Sequence, residues 1–311
     1  MKHRIAGFGE ILWDILPDGP RLGGAPYNFT YRIDSLGNRG AIISRIGSDD
    51  LGDEILSRLV REGLETNYLQ RDPEKPTGTV QVDLTRADAP DYVIHKDTAY
   101  DYIQFQKRYV DLVNRADAFY FGTLVQRSGV TRNTLYSLLG RCKNIPVFCD
   151  INLRKECYTA ETVTKSLSFA DIVKINDEET SRVSEITGVT FDDPEVFSRN
   201  LCEKYGITQI LISLGNRGGY LFSLKKGSLY IPGFKVDVAD TCGAGDAFAA
   251  GFLHRFLNTG NEEEALRFGN ALGALVAGQK GATEPLSLEQ TESFLRSRRG
   301  ETEHPGFKKF L

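Results

Sequence analysis

Residues 240–251 read Asp-Thr-Cys-Gly-Ala-Gly-Asp-Ala-Phe-Ala-Ala-Gly. Gly243, Ala244 and Gly245 are three tiny residues in a row, and small residues let a backbone turn so that several N–H groups face one point. The Ala-rich run 247–253 reads as a helix, whose N-terminus adds partial positive charge at the same place. Together they form a socket for an anion, with the Asp246 carboxylate at its rim. Negative charge there is unfavourable for mere anion binding. It makes sense for a base that takes a proton from an attacking hydroxyl, which points to phosphoryl transfer to an alcohol. A glycine turn with a capping Asp is the plain alternative. Asp240 and Thr241 before the turn, and the smooth helix face after it, favour the catalytic reading.

Outward from this turn, short apolar runs alternate with amphipathic ones. Residues 5–8, 41–46, 118–121, 147–150, 172–175 and 209–214 read as buried strands. Residues 53–62, 131–141 and 194–205 read as helices between them. Such alternation predicts an α/β protein: a mainly parallel sheet with helices on both faces. Residues 77–84 and 91–95 instead alternate with period two around a turn at 87–90, the pattern of a β-hairpin. Inserted among α/β units, such a hairpin reads as a lid over a ligand cleft, with the Gly-rich segment 22–28 beside it. Residues 262–279 form a long Ala- and Gly-rich helical pattern, small enough on one face to pack closely against another helix or a flat ligand. The charged tail after Leu295 reads as a surface segment.

The chain has 311 residues, 41% hydrophobic and 26% charged, with a net charge of −4. That is an ordinary globular composition with no electrostatic case for nucleic acid or an anionic membrane. No apolar run reaches membrane-spanning length, and no signal peptide is read at the N-terminus. Five cysteines without CxxC spacing argue against zinc and against a disulfide framework, and they fit a cytoplasmic protein. No GxxxxGK[ST] motif occurs, so a Walker-type phosphate loop is excluded.

Two stretches carry a family resemblance. Gly9-Glu10-Ile11-Leu12-Trp13-Asp14 leads to Leu22-Gly23-Gly24-Ala25-Pro26-Tyr27-Asn28, and residues 240–246 follow near the C-terminus. These are similar to the two signatures of the ribokinase-like, or pfkB, carbohydrate kinases, and the wording most resembles bacterial fructokinases. The resemblance runs along nearly the whole chain. It implies one ribokinase-like domain over 1–311, a three-layer α/β/α sandwich with a small β lid formed from about 12–34 and 76–106.

The resemblance also assigns roles. Asp246 would be the base, and the amides of Gly243, Ala244 and Gly245 the anion hole. Asp14, Gly23, Gly24 and Asn28 would bind the sugar. Arg154 would meet a substrate oxygen or a phosphate, or else form a surface ion pair. Asn176 and Glu179 resemble an NxxE motif that arranges water around Mg²⁺ and the nucleotide phosphates. Ser213 and Gly215 would face ATP, and Asn270 the adenosine. Asp240 would help hold a K⁺ ion, or simply cap a turn. Tyr27 is bulkier than the residue fructokinases often carry there; with Trp13 it would either narrow the sugar pocket or pack in the core.

The expected activity is therefore an ATP-dependent sugar kinase acting on a primary hydroxyl, with D-fructose the leading substrate. Kinases for ribose, a 2-keto-3-deoxy sugar acid or a nucleoside are the alternatives. A non-catalytic sugar or nucleotide sensor is the rival of another class. The expected partners are the sugar and ATP, and the lid's apolar face could pair with its twin in a homodimer.

Overall fold

The computed structural model describes residues 2–83, 91–297 and 300–311. Thirteen strands build its two main sheets. They are β1 Arg4–Phe8, β2 Leu12–Leu16, β3 Gly19–Gly23, β4 Arg39–Gly47, β5 Leu69–Asp72, β6 Gly78–Asp83 and β7 Asp91–Ile94. The second half adds β8 Ala118–Gly122, β9 Val147–Asp150, β10 Ile172–Asn176, β11 Gln209–Ser213, β12 Gly219–Ser223 and β13 Gly227–Ile231. The larger sheet has nine strands in the order β13-β12-β11-β10-β9-β8-β1-β4-β5. All its pairs are parallel except β11–β12 and β12–β13. The smaller sheet has the order β3-β2-β6-β7.

The parallel strands are nearly continuous apolar runs because both of their faces are covered. In β8, Phe119, Tyr120 and Phe121 are all fully buried, and the Tyr120 ring stacks on Phe29 with centroids 3.7 Å apart. Each such ring contributes about 1.5–3 kcal/mol relative to an exposed one.

The helices are α1 Ala25–Ser35, α2 Asp50–Arg61, α3 Lys107–Val113, α4 Gly129–Leu139 and α5 Ala160–Phe169. They continue with α6 Thr180–Thr187, α7 Pro194–Tyr205, α8 Ala244–Thr259, α9 Glu262–Ala277 and α10 Leu288–Arg296. Local chemistry sets their ends. Asp49 caps α2 by accepting from the Gly52 N–H, so this helix begins three residues before the amphipathic pattern does. Helix α7 starts on the Asp193 cap with Pro194 in its first turn and stops at left-handed Gly206. The small face of α9 packs on α8, not on a ligand. A Cβ on Gly251 would lie 3.2 Å from the Gly269 Cα, and one on Gly269 would lie 2.8 Å from the Phe248 carbonyl oxygen.

The six expected strands all form, with bounds shifted by a residue or two. The hairpin forms as antiparallel β6–β7, while Leu84 and the turn 87–90 lie outside the described residues. Two boundaries differ. The small sheet takes only 12–23 from the first lid segment, because from Ala25 the chain is a helix packed on β1, β4 and α8. The tail is not simply surface: Phe307 is buried against Tyr220 and Tyr230.

Candidate active site

A cleft of about 410 Å³ opens between the small sheet and the carboxyl ends of the large one. Ligands of open α/β sheets bind at that edge. The N-termini of α1 and α8 both reach its wall, through Gly24 and Ala25 and through Gly243 and Gly245.

Helix α8 begins inside the small-residue turn. Gly243 is its cap, with φ +75°, and Asp246 stands in the first helical turn. A Cβ on Gly243 would sit 2.3 Å from that of Ala282, so only glycine fits both the backbone and the space. The buried Arg32 holds the opposing loop by donating to the carbonyls of Ala282 (2.6 Å) and Glu284 (2.7 Å). One expectation needs correction: the Ala244 N–H donates to the Thr241 carbonyl at 3.2 Å. Ala244 is turned away from the cleft, and the amides available to an anion are those of Gly243 and Gly245.

Asp246 is 8% exposed. Burial pushes its carboxyl up to about 6, helped by Asp150, while the Asn28 hydrogen bond, Lys174 and Arg154 pull the other way. Asn28 Nδ2 donates to Asp246 Oδ2 at 2.9 Å. Its Oδ1 is buried without a partner. A buried acceptor is costly to leave unmet.

Asp14 lies on the cleft side of β2, opposite Arg21 of β3. Burial raises its carboxyl to about 6, partly offset by Arg154. Gly23 serves this carboxylate rather than lining the cleft: a Cβ there would come within 2.3 Å of Asp14 Oδ2. Gly24 does line the cleft, with φ +106°. Arg154 lines it as well, close enough to act electrostatically on Asp14, Glu10 and Asp246.

At the other end, Asn176 and Ser213 are register partners at the tips of β10 and β11, and both line the cleft. Gly215 lies beyond the lining and is exposed. Glu179, expected to arrange water around Mg²⁺, does not line the cleft. Its two carboxylate oxygens accept from the N–H groups of Leu153 (2.5 Å) and Asn176 (2.9 Å), and it is buried outside the cleft. It braces the loop after β9 against the end of β10. Asn270 is also spent inside the protein, donating to the Ile231 and Pro232 carbonyls, so it does not face the cleft. Asp240, the side chain expected beside a K⁺ ion, is already engaged in this arrangement. Asp240 Oδ1 accepts from the Cys242 N–H and Oδ2 from Arg21 Nη1 at 3.1 Å, so a guanidinium already meets its charge.

Trp13 and Tyr27 are core residues. Both are buried with Ile42, Ile46 and Ile55 under the small sheet, and Trp13 Nε1 donates to the Leu51 carbonyl. Beyond Arg21, the polar cleft residues that sequence reasoning did not single out include Glu10, Asn152 and Lys174. Glu10 is 3% exposed, and its Oε1 accepts from the Ala25 N–H at 3.2 Å, meeting an orphan donor of α1. Asn152 is held at φ +39° in the loop after β9. Lys174 lies beneath Gly245. Glu10 carried a sequence signal in its place beside Gly9, and Asn152 in the stretch 150–154, Asp-Ile-Asn-Leu-Arg; Lys174 carried none.

A mainly parallel sheet with helices around it and a cleft at the carboxyl ends of its strands is the architecture of ribokinase-fold proteins. The description "pfkB family carbohydrate kinase" matches residues 20–289. The chain belongs to that family and is a carbohydrate kinase. It is 28% identical to Fructokinase-2 of Oryza sativa subsp. japonica, over 91% of this chain and 90% of that one. It is also 28% identical to the fructokinase of Vibrio alginolyticus, over 91% and 95%. The structure of the Vibrio cholerae O395 fructokinase with fructose, ADP and calcium superposes with a TM-score of 0.80 at 25% identity, covering 94% of this chain and 99% of that one. The 2-dehydro-3-deoxygluconokinase of Thermotoga maritima shares the fold, with a TM-score of 0.82 at 20% identity over 96% and 99%. No helix among the described residues is long and apolar enough to cross a membrane.

Proposed function

We propose that this chain transfers the γ-phosphoryl group of Mg·ATP to a primary hydroxyl of a neutral sugar, with D-fructose as the substrate. One observation carries the reading: the paired Asn28 and Asp246 side chains, with Asn28 Oδ1 left open beside the carboxylate. A polyol supplies both complements at once, one hydroxyl donating to Asp246 and another to Asn28.

The reacting hydroxyl gives its proton to Asp246 as its oxygen bonds to the γ-phosphorus. The bond from that phosphorus to the β–γ bridging oxygen breaks, and ADP leaves with the electron pair. The proton then passes from Asp246 to water. Amides at Gly243 and Gly245 steady the charge on the transferring group, where losing one donor costs about 3 kcal/mol. Mg²⁺ arrives with the nucleotide and supplies charge neutralisation on its phosphates. Asn176 and Ser213, at the strand tips, are placed toward that end of the cleft.

Arg154 on the cleft wall would suit a sugar acid, but its charge acts on the Asp14, Glu10 and Asp246 carboxyls beside it, and the fructokinase relatives support the neutral sugar. The test is ADP release with D-fructose, ribose, a nucleoside and 2-keto-3-deoxygluconate. The highest kcat/KM is expected for fructose; preference for the acid would overturn the neutral-sugar reading.

A further inference from the structure

Lys174 is an unexpected residue for an apolar parallel strand. Its neighbours Ile172, Val173 and Ile175 are buried, and so is Lys174 itself, at 5% exposure. The register of β9 and β10 sets it directly against Asp150. Its Nζ donates to both Asp150 carboxylate oxygens at 2.9 Å, and Tyr120 Oη donates to Asp150 Oδ2 at 3.3 Å. Burial works against the charged lysine, but Asp150 and then Glu179 hold its ammonium group above the ordinary lysine range. A buried ion pair is a poor source of net stability, since a well-packed apolar pair does as well or better. Its position offers a different reason for being there.

Lys174 Nζ is 3.5 Å from where a Cβ on Gly245 would stand, one residue before Asp246, and Lys174 lines the cleft floor. We propose that Lys174 and Asp150 are positioning residues of the phosphoryl-transfer site, a buried cation and anion that together set the protonation of the Asp246 carboxylate. This deepens the reading of Asp246 as the base and rests on it for its importance to turnover.

The two charges act on Asp246 in opposite senses. After burial itself, Asp150 is the largest influence raising the Asp246 carboxyl, and Lys174 lowers it along with the Asn28 hydrogen bond and Arg154. Other groups face the same carboxyl. Glu10 after β1 and Asp14 on β2 repel it. The Tyr120 and Cys242 hydroxyl and thiol, on β8 and in the turn, also stand close enough to feel its charge. Lys174 is the only buried cation among them and Asp150 the most deeply buried anion, at 1% exposure. Removing either changes a fixed charge at short range in a poorly screened place.

The experiment is a pH titration of carboxyl-¹³C-aspartate-labelled protein without ligands, with the Asp246 resonance assigned by its loss in Asp246→Asn. Lys174→Met is expected to raise the Asp246 midpoint and Asp150→Asn to lower it, each by about one unit. Lys174→Arg keeps the cation and should leave the midpoint near that of the unmodified protein. Lys174→Met strands a buried Asp150 charge; should it fail to fold, Asp150→Asn and Lys174→Arg carry the test. An unmoved midpoint in Asp150→Asn, or shifts of the same sign in both neutralising variants, would overturn the proposal. Turnover of Asp246→Asn with D-fructose and Mg·ATP, run in parallel, judges the base reading separately: full turnover sinks that reading, whatever the titration shows.

Discussion

Arg21 Nη1 on β3 donates to Asp240 Oδ2 at 3.1 Å, so a strand of the small sheet is tied to the segment that runs into the catalytic turn, 219 residues further along the chain. Arg21 Nη2 also holds Asp18 at the β2–β3 turn. The guanidinium therefore links the position of the small sheet to the loop that ends in Gly243.

Both partners are partly exposed, at 31% and 25% of their side chains. Such pairs contribute about 0–1 kcal/mol and weaken with salt. Arg21→Ala should raise the KM for sugar by up to about fivefold and leave kcat within about twofold. Steady-state kinetics at low and high ionic strength check this. High salt should move the unmodified enzyme toward the variant, and a KM that responds to neither change would dissolve the proposed link.

Gly23 makes room for Asp14. A Cβ there would fall 2.3 Å from Asp14 Oδ2, so Gly23→Ala must displace the carboxylate from its place on the cleft wall. Sugar affinity should drop by roughly tenfold or more, the scale of one lost hydrogen bond to a charged group. Nucleotide affinity should hold, since Asn176 and Ser213 lie at the other end. Calorimetric titration with each ligand separates the two; equal losses would mean a general collapse of the fold.

Glu10 is a cost to stability that the site retains. Burial, more than any other influence, lifts its carboxyl from 4.5 to about 7. The folded protein thus keeps a proton that the unfolded chain gives up. Stability from this group is full below about 4.5 and is lost as pH rises through about 7, a change on the order of 3 kcal/mol. Glu10→Gln retains an oxygen for the Ala25 N–H and carries no charge. It should raise Tm by a few degrees at pH 8 and hardly at all at pH 5. Thermal unfolding at the two pH values decides; a lower Tm at pH 8 would show that the charged form is stabilised in the fold.

Much of this site was legible in the chain because it depends on local chemistry. Gly243 and the pair Gly23-Gly24 are places where a side chain would collide, and Asp14, Asn28 and Asp246 stand near them. The positions of six strands were legible from apolar runs alone, but not their order in the sheet. What stayed hidden depends on register and on long-range approach. Lys174 looks like an irregularity in an apolar strand until β10 is laid against β9 and Asp150 appears opposite. The Arg21–Asp240 pair joins a strand of the small sheet to the segment before α8 and leaves no spacing to read. Asn270 and Glu179 show the reverse error: their amide and carboxylate look available in the sequence, but backbone groups claim them in the fold.

Acid should silence the enzyme in a defined window. Asp246 acts only as a carboxylate, and its carboxyl is held up to about 6. Protonated Asp246 accumulates as pH falls through that value, so kcat/KM should drop about tenfold per unit below it. Asp14, also raised to about 6, steepens the fall if the sugar needs its charged form. A pH–rate profile between 5 and 9 (saturating Mg·ATP, limiting sugar) reads this limb. A flat profile down to pH 5 would contradict it.

The most direct test is turnover of Asp246→Asn measured as ADP release, with sugar and nucleotide binding followed in the same preparation. The variant preserves the Asn28 contact and removes only the proton acceptor. Binding near that of the unmodified enzyme with turnover reduced by about 10²–10⁴-fold is the predicted result. Turnover within about threefold of the unmodified enzyme, less than general-base catalysis contributes, would contradict the assignment of Asp246 as the base.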